Sequence, residues 1–126
     1  MKSIELFLGA LIASCSSNAP ATTPPRATAS CANLACIEMN EGKVIDLAGT
    51  FAFPADPKRK GRHLYRLNLD DGTSVVLHPR HEQLTKDRDG QHITVRCIVF
   101  TKMIPEKYDI IERTSDPYCV ELFAVF

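Results

Sequence analysis

The stretch His63–His78, HLYRLNLDDGTSVVLH, contains the strongest local indication of the fold. Apolar and polar residues alternate before Asp70–Gly72, which is the period of a β-strand with one buried face. An Asp-Gly pair between two such runs is typical of a tight β-hairpin. We therefore predict antiparallel strands over His63–Leu69 and Thr73–His78. The predicted inward positions of the first strand are Tyr65, Leu67 and Leu69.

Alternating runs on either side of this hairpin predict three more strands. Val44–Phe53 is the first, and Gly49 within it indicates a bend or a bulge. Gln91–Phe100 alternates in the same way, and Tyr118–Phe126 is the last predicted strand. The inward positions predicted for the first two of these runs are Ile45, Leu47, Gly49, Phe51, Phe53, Ile93, Val95, Cys97 and Val99.

Two connections separate the later strands. Pro79–Asp89 is polar apart from Leu84, which predicts a loop or a single exposed helical turn. Thr101–Pro117 is longer and has an apolar cluster of its own, which we expect to fold back over one end of the domain. The members of this cluster are Met103, Ile104, Tyr108, Ile110 and Ile111.

Composition limits the class of protein. A length of 126 residues allows one domain, and 44% hydrophobic residues are enough for a folded core. Fifteen Lys and Arg residues balance fifteen Asp and Glu residues. Because nucleic-acid-binding domains usually carry a basic excess, a nucleic acid partner is not expected.

The first residues have the pattern of an export signal. Lys2 precedes a short apolar core, Leu6–Ile12, and two small residues stand before Cys15. Ile12-Ala13-Ser14-Cys15 resembles the lipobox of bacterial lipoproteins. The resemblance implies that 1–14 is a signal peptide, and that Cys15 receives diacylglycerol and palmitate chains that anchor the protein in a membrane. The alternative is a hydrophobic N-terminal helix with a chance cysteine.

Residues 15–30 are predicted to form a flexible tether behind this anchor. The segment Ser16–Ser30 is rich in Pro, Ser, Thr and Ala and has one charge, so it cannot bury enough apolar surface to fold. The lipoprotein resemblance also bears on location, since Ser16 rather than Asp follows the cysteine. In a Gram-negative cell this implies an outer-membrane lipoprotein that faces the periplasm.

The domain at 31–126 resembles the OB-fold. The strand order carries the resemblance, together with the phrases Glu41–Val44, Leu69–Thr73 and Asp89–Val95, over roughly residues 40–126. It implies an all-β fold, a small five-stranded OB-like Greek-key barrel. A β-sandwich or another small barrel is the alternative.

Five cysteines are many for a short chain, and an odd number suits an exported protein only if one is modified. Lipidation of Cys15 leaves four. The OB resemblance makes the last two strands neighbours and implies a Cys97–Cys119 disulfide, with Cys31 paired to Cys36 by default. A bridge from Cys31 or Cys36 to Cys119 is an alternative, as are free thiols and a zinc site.

One basic cluster is the candidate ligand-binding site. Lys58, Arg59, Lys60 and Arg62 lie between the first two predicted strands. In OB-folds this loop flanks the ligand face, so the cluster could meet an envelope polyanion. The alternative is a solvated basic loop. Phe51, Phe53 and Tyr65 share the phase of core residues, and we expect them to be buried rather than available for stacking.

No motif for catalysis is present, and His78 and His81 are expected to be surface residues rather than metal ligands. We therefore predict no enzyme activity, no metal and no cofactor. The sequence favours a membrane-anchored envelope lipoprotein whose domain is a non-enzymatic binding module. Its partner would be a polyanion or a protein of the envelope. The alternative is a structural or assembly accessory of an envelope complex, with no small ligand.

Overall fold

The computed structural model describes residues 23–54, 64–108, 110 and 115–126. Its regular elements in chain order are β1 (Ala29–Cys31), α1 (Leu34–Met39), β2 (Val44–Ala52), β3 (Tyr65–Asn68), β4 (Ser74–Leu77), β5 (His92–Phe100) and β6 (Tyr118–Val125). Short 3₁₀ turns lie at Lys86–Arg88 and Glu106–Tyr108.

The last five strands close into a barrel, and β1 lies outside it. The order is β1-β2-β3-β4-β6-β5, and β5 pairs with β2 to complete the closure. All neighbours within the barrel are antiparallel except β4 and β6, which are parallel. This is a small five-stranded OB-like barrel, so the predicted fold class is confirmed.

The first barrel strand, β2, pairs with its two barrel neighbours over different stretches that overlap at Thr50. Val44–Thr50 pairs with β5, whereas Thr50–Ala52 pairs with β3. A Cβ atom at Gly49 would stand 2.8 Å from the backbone oxygen of Asn68. Glycine is therefore required here by the close approach of β3.

The predicted hairpin and core are also found. The amide of Leu69 donates to the carbonyl of Thr73 across the turn between β3 and β4, and Gly72 has a φ of +91°. The predicted inward residues of β5 are all buried, from Ile93 to Val99. The exceptions among the predicted inward residues are Phe53 and Tyr65, which are only half-buried.

The folded domain begins before residue 31, where the sequence analysis placed its first residue. Ala29 and Ser30, which the sequence analysis assigned to the tether, belong to β1 and pair in parallel with Ile45 and Asp46. The pairing covers part of an edge of β2 that β3 leaves open. Cys15 and the rest of residues 1–22 lie outside the described residues.

The helix α1 follows β1 and is attached to it by a disulfide. Cys31 and Cys36 form this bridge, so the predicted pairing of these two residues is confirmed. Asn33 caps the helix by accepting from the amide of Cys36, and the carboxylate of Asp71 accepts from the amide of Leu34 at 2.8 Å. Ile37 turns inward and joins the core.

Cys97 and Cys119 differ from the prediction, because the structure has them as free, buried thiols. The register of the β5–β6 ladder shows where they lie relative to each other. Cys97 pairs with Leu122 and Cys119 with Val99, so the two cysteines are diagonal neighbours. The two thiols still interact, and Cys97 contributes to the raised pKa of Cys119.

The connection from β5 to β6 also departs from expectation at Met103, which is 84% exposed instead of covering the barrel. Nearer to β6, the connection is attached to β3 by an ion pair of 2.8 Å between Arg66 and Asp116. Arg66 also donates to the hydroxyl of Ser74 on β4.

Candidate ligand-binding end of the barrel

One end of the barrel gathers the residues that could contact a ligand. β2 finishes there, β3 begins there, and the β4–β5 connection crosses it, since these strands are antiparallel around the barrel. Phe53 extends β2 by one residue, and Tyr65 is the first residue of β3. We call this surface the aromatic end, defined by Phe53, Tyr65 and Arg80.

The rings at the aromatic end form a compact stack. Phe53 and Tyr65 lie with centroids 5.4 Å apart and an interplanar angle of 26°. Phe51, which is fully buried, meets the ring of Tyr65 edge-on at 5.8 Å. The buried ring therefore supports the two half-exposed ones from the core side, in geometries that aromatic pairs favour.

Hydrogen bonds hold the β4–β5 connection against the end of β2. The amide of Phe53 donates to the carboxylate of Asp89 at 2.9 Å. The amide of Gly90 donates to the carbonyl of Phe51, and Phe51 in turn donates to Gln91. Leu84 is 2% exposed and anchors the middle of this connection in the core. The aromatic end is therefore built on restrained backbone.

A cation completes the stack from outside. The guanidinium carbon of Arg80 lies 5.8 Å from the ring centroid of Tyr65, within the range of a cation–π contact. Arg80 is exposed, so its charge is available to solvent or to a ligand. His81 accepts from the amide of Gln83 through Nδ1, and His78 packs against the ring of Tyr118. The two histidines thus have separate local contacts.

The basic cluster of the sequence analysis, Lys58, Arg59, Lys60 and Arg62, lies outside the described residues. Its flanks are described, since Pro54 follows Phe53 and Leu64 precedes Tyr65. The described residues on either side of this segment therefore both belong to or adjoin the aromatic end.

Sequence patterning missed part of this site for a physical reason. Phe53 and Tyr65 have the inward phase, but one follows the end of β2 and the other begins β3, so both are only half-buried. Arg80 lies in the Pro79–Asp89 segment, for which the sequence predicted only a loop or an exposed helical turn. The available sequence signal was Pro54, which marks the strand end beside Phe53.

Two polar contacts outside this end connect distant segments. Asp46 on β2 binds Arg96 on β5 at 2.8 and 2.9 Å, and this contact lowers the pKa of the Asp46 carboxyl. Glu41 accepts from the hydroxyl of Thr101 at 2.6 Å and from its amide at 2.7 Å. The hydroxyl contact is the main cause that lowers the pKa of Glu41.

Asp71 has a lowered carboxyl pKa as well, chiefly because it accepts from the amide of Leu34.

Among the described residues, no charged or polar side chain is buried, and no three His, Cys, Asp or Glu residues lie close enough together to hold a metal ion. No helix of the described chain has the length and hydropathy that a membrane span needs. No family model, curated protein or solved structure matches the chain.

Proposed function

We propose that the protein is a lipid-anchored envelope lipoprotein whose OB-like barrel binds an anionic envelope polymer without catalysing a reaction. The anchor part of this proposal is supported by the Ile12–Cys15 lipobox. The binding part is supported by the aromatic end and by the basic cluster that adjoins it in sequence.

The stacked, half-exposed pair of Phe53 and Tyr65 is the observation that carries the binding proposal. Both residues are half-buried rather than buried, and Arg80 lies against the ring of Tyr65. A flat ring surface next to cations suits a polymer that has both ring faces and negative charges. The cations supply attraction, and the rings supply contact area.

Mass spectrometry of the protein from its native membrane fraction tests the anchor. We expect cleavage before Cys15 and added acyl mass on that residue, and a Cys15→Ser variant should lack both. A chain that keeps Met1 and has no added mass would contradict the anchor and remove the envelope from the proposal.

Heparin, as a model polyanion, tests the binding end. Replacing Lys58, Arg59 and Lys60 with Gln should weaken binding, because fewer counterions are released on association. The slope of log affinity against log salt concentration should fall by roughly one for each cation that contacts the polymer. Tyr65→Leu should weaken binding with little change in this slope, since it removes contact area rather than charge.

A matched control removes the same charge elsewhere. Lys43, Lys102 and Lys107 lie outside the aromatic end, and replacing all three with Gln changes the net charge equally. If this variant loses as much affinity as the first one, binding follows net charge alone. The proposed site would then be wrong.

Two exposed methionines favour an assembly role as a second candidate. Met39 is 80% exposed and Met103 is 84% exposed. The hydrogen bonds from Thr101 to Glu41 bring their two segments side by side. If this surface contacts a protein of the envelope, Met39→Gln with Met103→Gln should abolish cross-linking to that protein while heparin binding is kept. Unchanged cross-linking would exclude this role.

A further inference from the structure

The N-terminal arm, residues 23–28, crosses the outer face of the β2–β5 pair. The amide of Thr28 donates to the carbonyl of Val44 at 2.8 Å. Arg96 Nη1 donates to the carbonyl of Pro25 at 3.3 Å. The described chain thus begins within two residues of a contact on the middle of β5.

This outer face combines apolar residues and one neutralised charge pair with Thr50, Thr94 and His92. Arg26 is exposed on the arm that crosses it. Val44 and Ile98 oppose each other on β2 and β5, and both are half-buried. Arg96 is paired with Asp46, so neither charge is left over. Phe126 is 60% exposed, and its ring centroid lies 5.3 Å from the guanidinium carbon of Arg96. Exposed aromatic surface therefore lies next to the point where the arm leaves the barrel.

The proposed anchor lies close to this face along the chain. Only the seven residues 16–22 separate Cys15 from Thr23. A flexible chain of this length spans about 16 Å on average, and roughly 25–30 Å at full extension. A domain of about 100 residues has a radius of gyration of about 13 Å. Its diameter is more than twice that value and so exceeds the average reach of this segment. A short connection to this arm favours an orientation in which this face lies toward the membrane.

We propose that the outer face of β2 and β5, with Phe126 at its edge, rests on the phospholipid surface that holds the anchor. The inference rests on the proposed lipidation of Cys15. Aromatic rings favour the headgroup region, where their apolar surface leaves water. The ion pair of Asp46 and Arg96 imposes no unpaired charge on this contact.

Tryptophan fluorescence tests the orientation, because the chain contains no Trp and an introduced one reports only its own position. The lipidated full chain with Phe126→Trp is placed in vesicles of phosphatidylethanolamine and phosphatidylglycerol that include doxyl-labelled lipid. We expect a blue-shifted emission and strong quenching. Asp70→Trp is the matched control, since Asp70 is exposed in the turn between β3 and β4 and is not part of the β2–β5 pair, and it should be quenched several-fold less.

Equal quenching at both positions, or none at position 126, would overturn the proposed orientation. The emission of the tryptophan at position 126 could instead shift to the blue as more protein is added per vesicle, without quenching by the labelled lipid. That result would mean that a second copy of the protein covers this face, and it would also overturn the proposal. Failure of the proposed anchor can be told apart from failure of the proposed orientation, because mass spectrometry detects the acyl chains on Cys15 independently of the fluorescence. An acylated chain without quenching contradicts only the orientation, and heparin binding is measured separately.

Discussion

At the scale of single residues, Gly49 has the strictest requirement. Gly49→Ala would place a methyl group against the backbone oxygen of Asn68 and within 3.0 Å of Leu67 and Leu69 side-chain atoms. The strands must then separate, and we expect a loss of about 1–3 kcal/mol in the free energy of unfolding. Urea denaturation measures this loss.

The neighbouring position provides the control. Ala48 lies on the outward side of β2, and Ala48→Val should change stability by less than about 0.5 kcal/mol. A Gly49→Ala protein as stable as the original would show that β3 does not need this close approach.

The two core cysteines give a second prediction at this scale. Burial raises the pKa of the Cys119 thiol, and Cys97 is fully buried beside it. Both should therefore resist alkylation in the folded protein. In a Cys15→Ser variant unfolded without reductant, mass spectrometry should find two alkylated cysteines, Cys97 and Cys119. Finding neither alkylated would establish a second disulfide.

At the scale of elements, the bridge between β1 and α1 can be tested by itself. Replacing Cys31 and Cys36 with Ser should lower the free energy of unfolding by about 2 kcal/mol, the chain-entropy value for so short a loop. Far-ultraviolet circular dichroism should keep its barrel signature, because α1 and β1 lie outside the closed sheet.

Reductant supplies the control for this comparison. Since the other cysteines of the described domain are free thiols, reductant should lower the stability of the original protein to that of the variant. Equal stability of the two proteins without reductant would mean that the bridge contributes nothing.

The elements also show how far sequence patterning reaches. Each barrel strand lies within two residues of its predicted bounds, because period-2 alternation follows directly from a half-buried sheet. β1 and α1 were missed because distant contacts create them: Asp71 accepts from the helix amide, and β2 supplies the partner of β1. The half-exposed rings of Phe53 and Tyr65 were missed because alternation gives the phase of a residue, not its depth in the barrel.

At the scale of the whole molecule, three carboxylates make the free energy of unfolding depend on pH. Glu41, Asp46 and Asp71 each join separate segments, and each has a pKa below its ordinary value in the folded state. Their contribution is complete at neutral pH and is lost as pH falls through the lowered values. We expect the free energy of unfolding to decline below about pH 5.

Two variants that each remove one carboxylate distinguish the contribution of Glu41 to acid sensitivity from the effect of removing any negative charge. Glu41→Gln should reduce the steepness of the decline, because Thr101 no longer contacts a titrating group. Glu38→Gln removes a carboxylate from the exposed side of α1 and should leave the slope unchanged. Identical slopes for the two variants would show that Glu41 has no part in the acid response.

The position of the Cys31–Cys36 bridge also sets an order of events during folding. Its cysteines are five residues apart, so they can meet as soon as this part of the chain emerges. Barrel closure has to wait for β5, whose partners on β2 lie about fifty residues earlier. Cys97 and Cys119 therefore emerge after Cys31 and Cys36 have had time to form their disulfide. An N-terminal bridge of this kind guards against mispairing, since the late thiols find no free cysteine among the earlier residues of the domain.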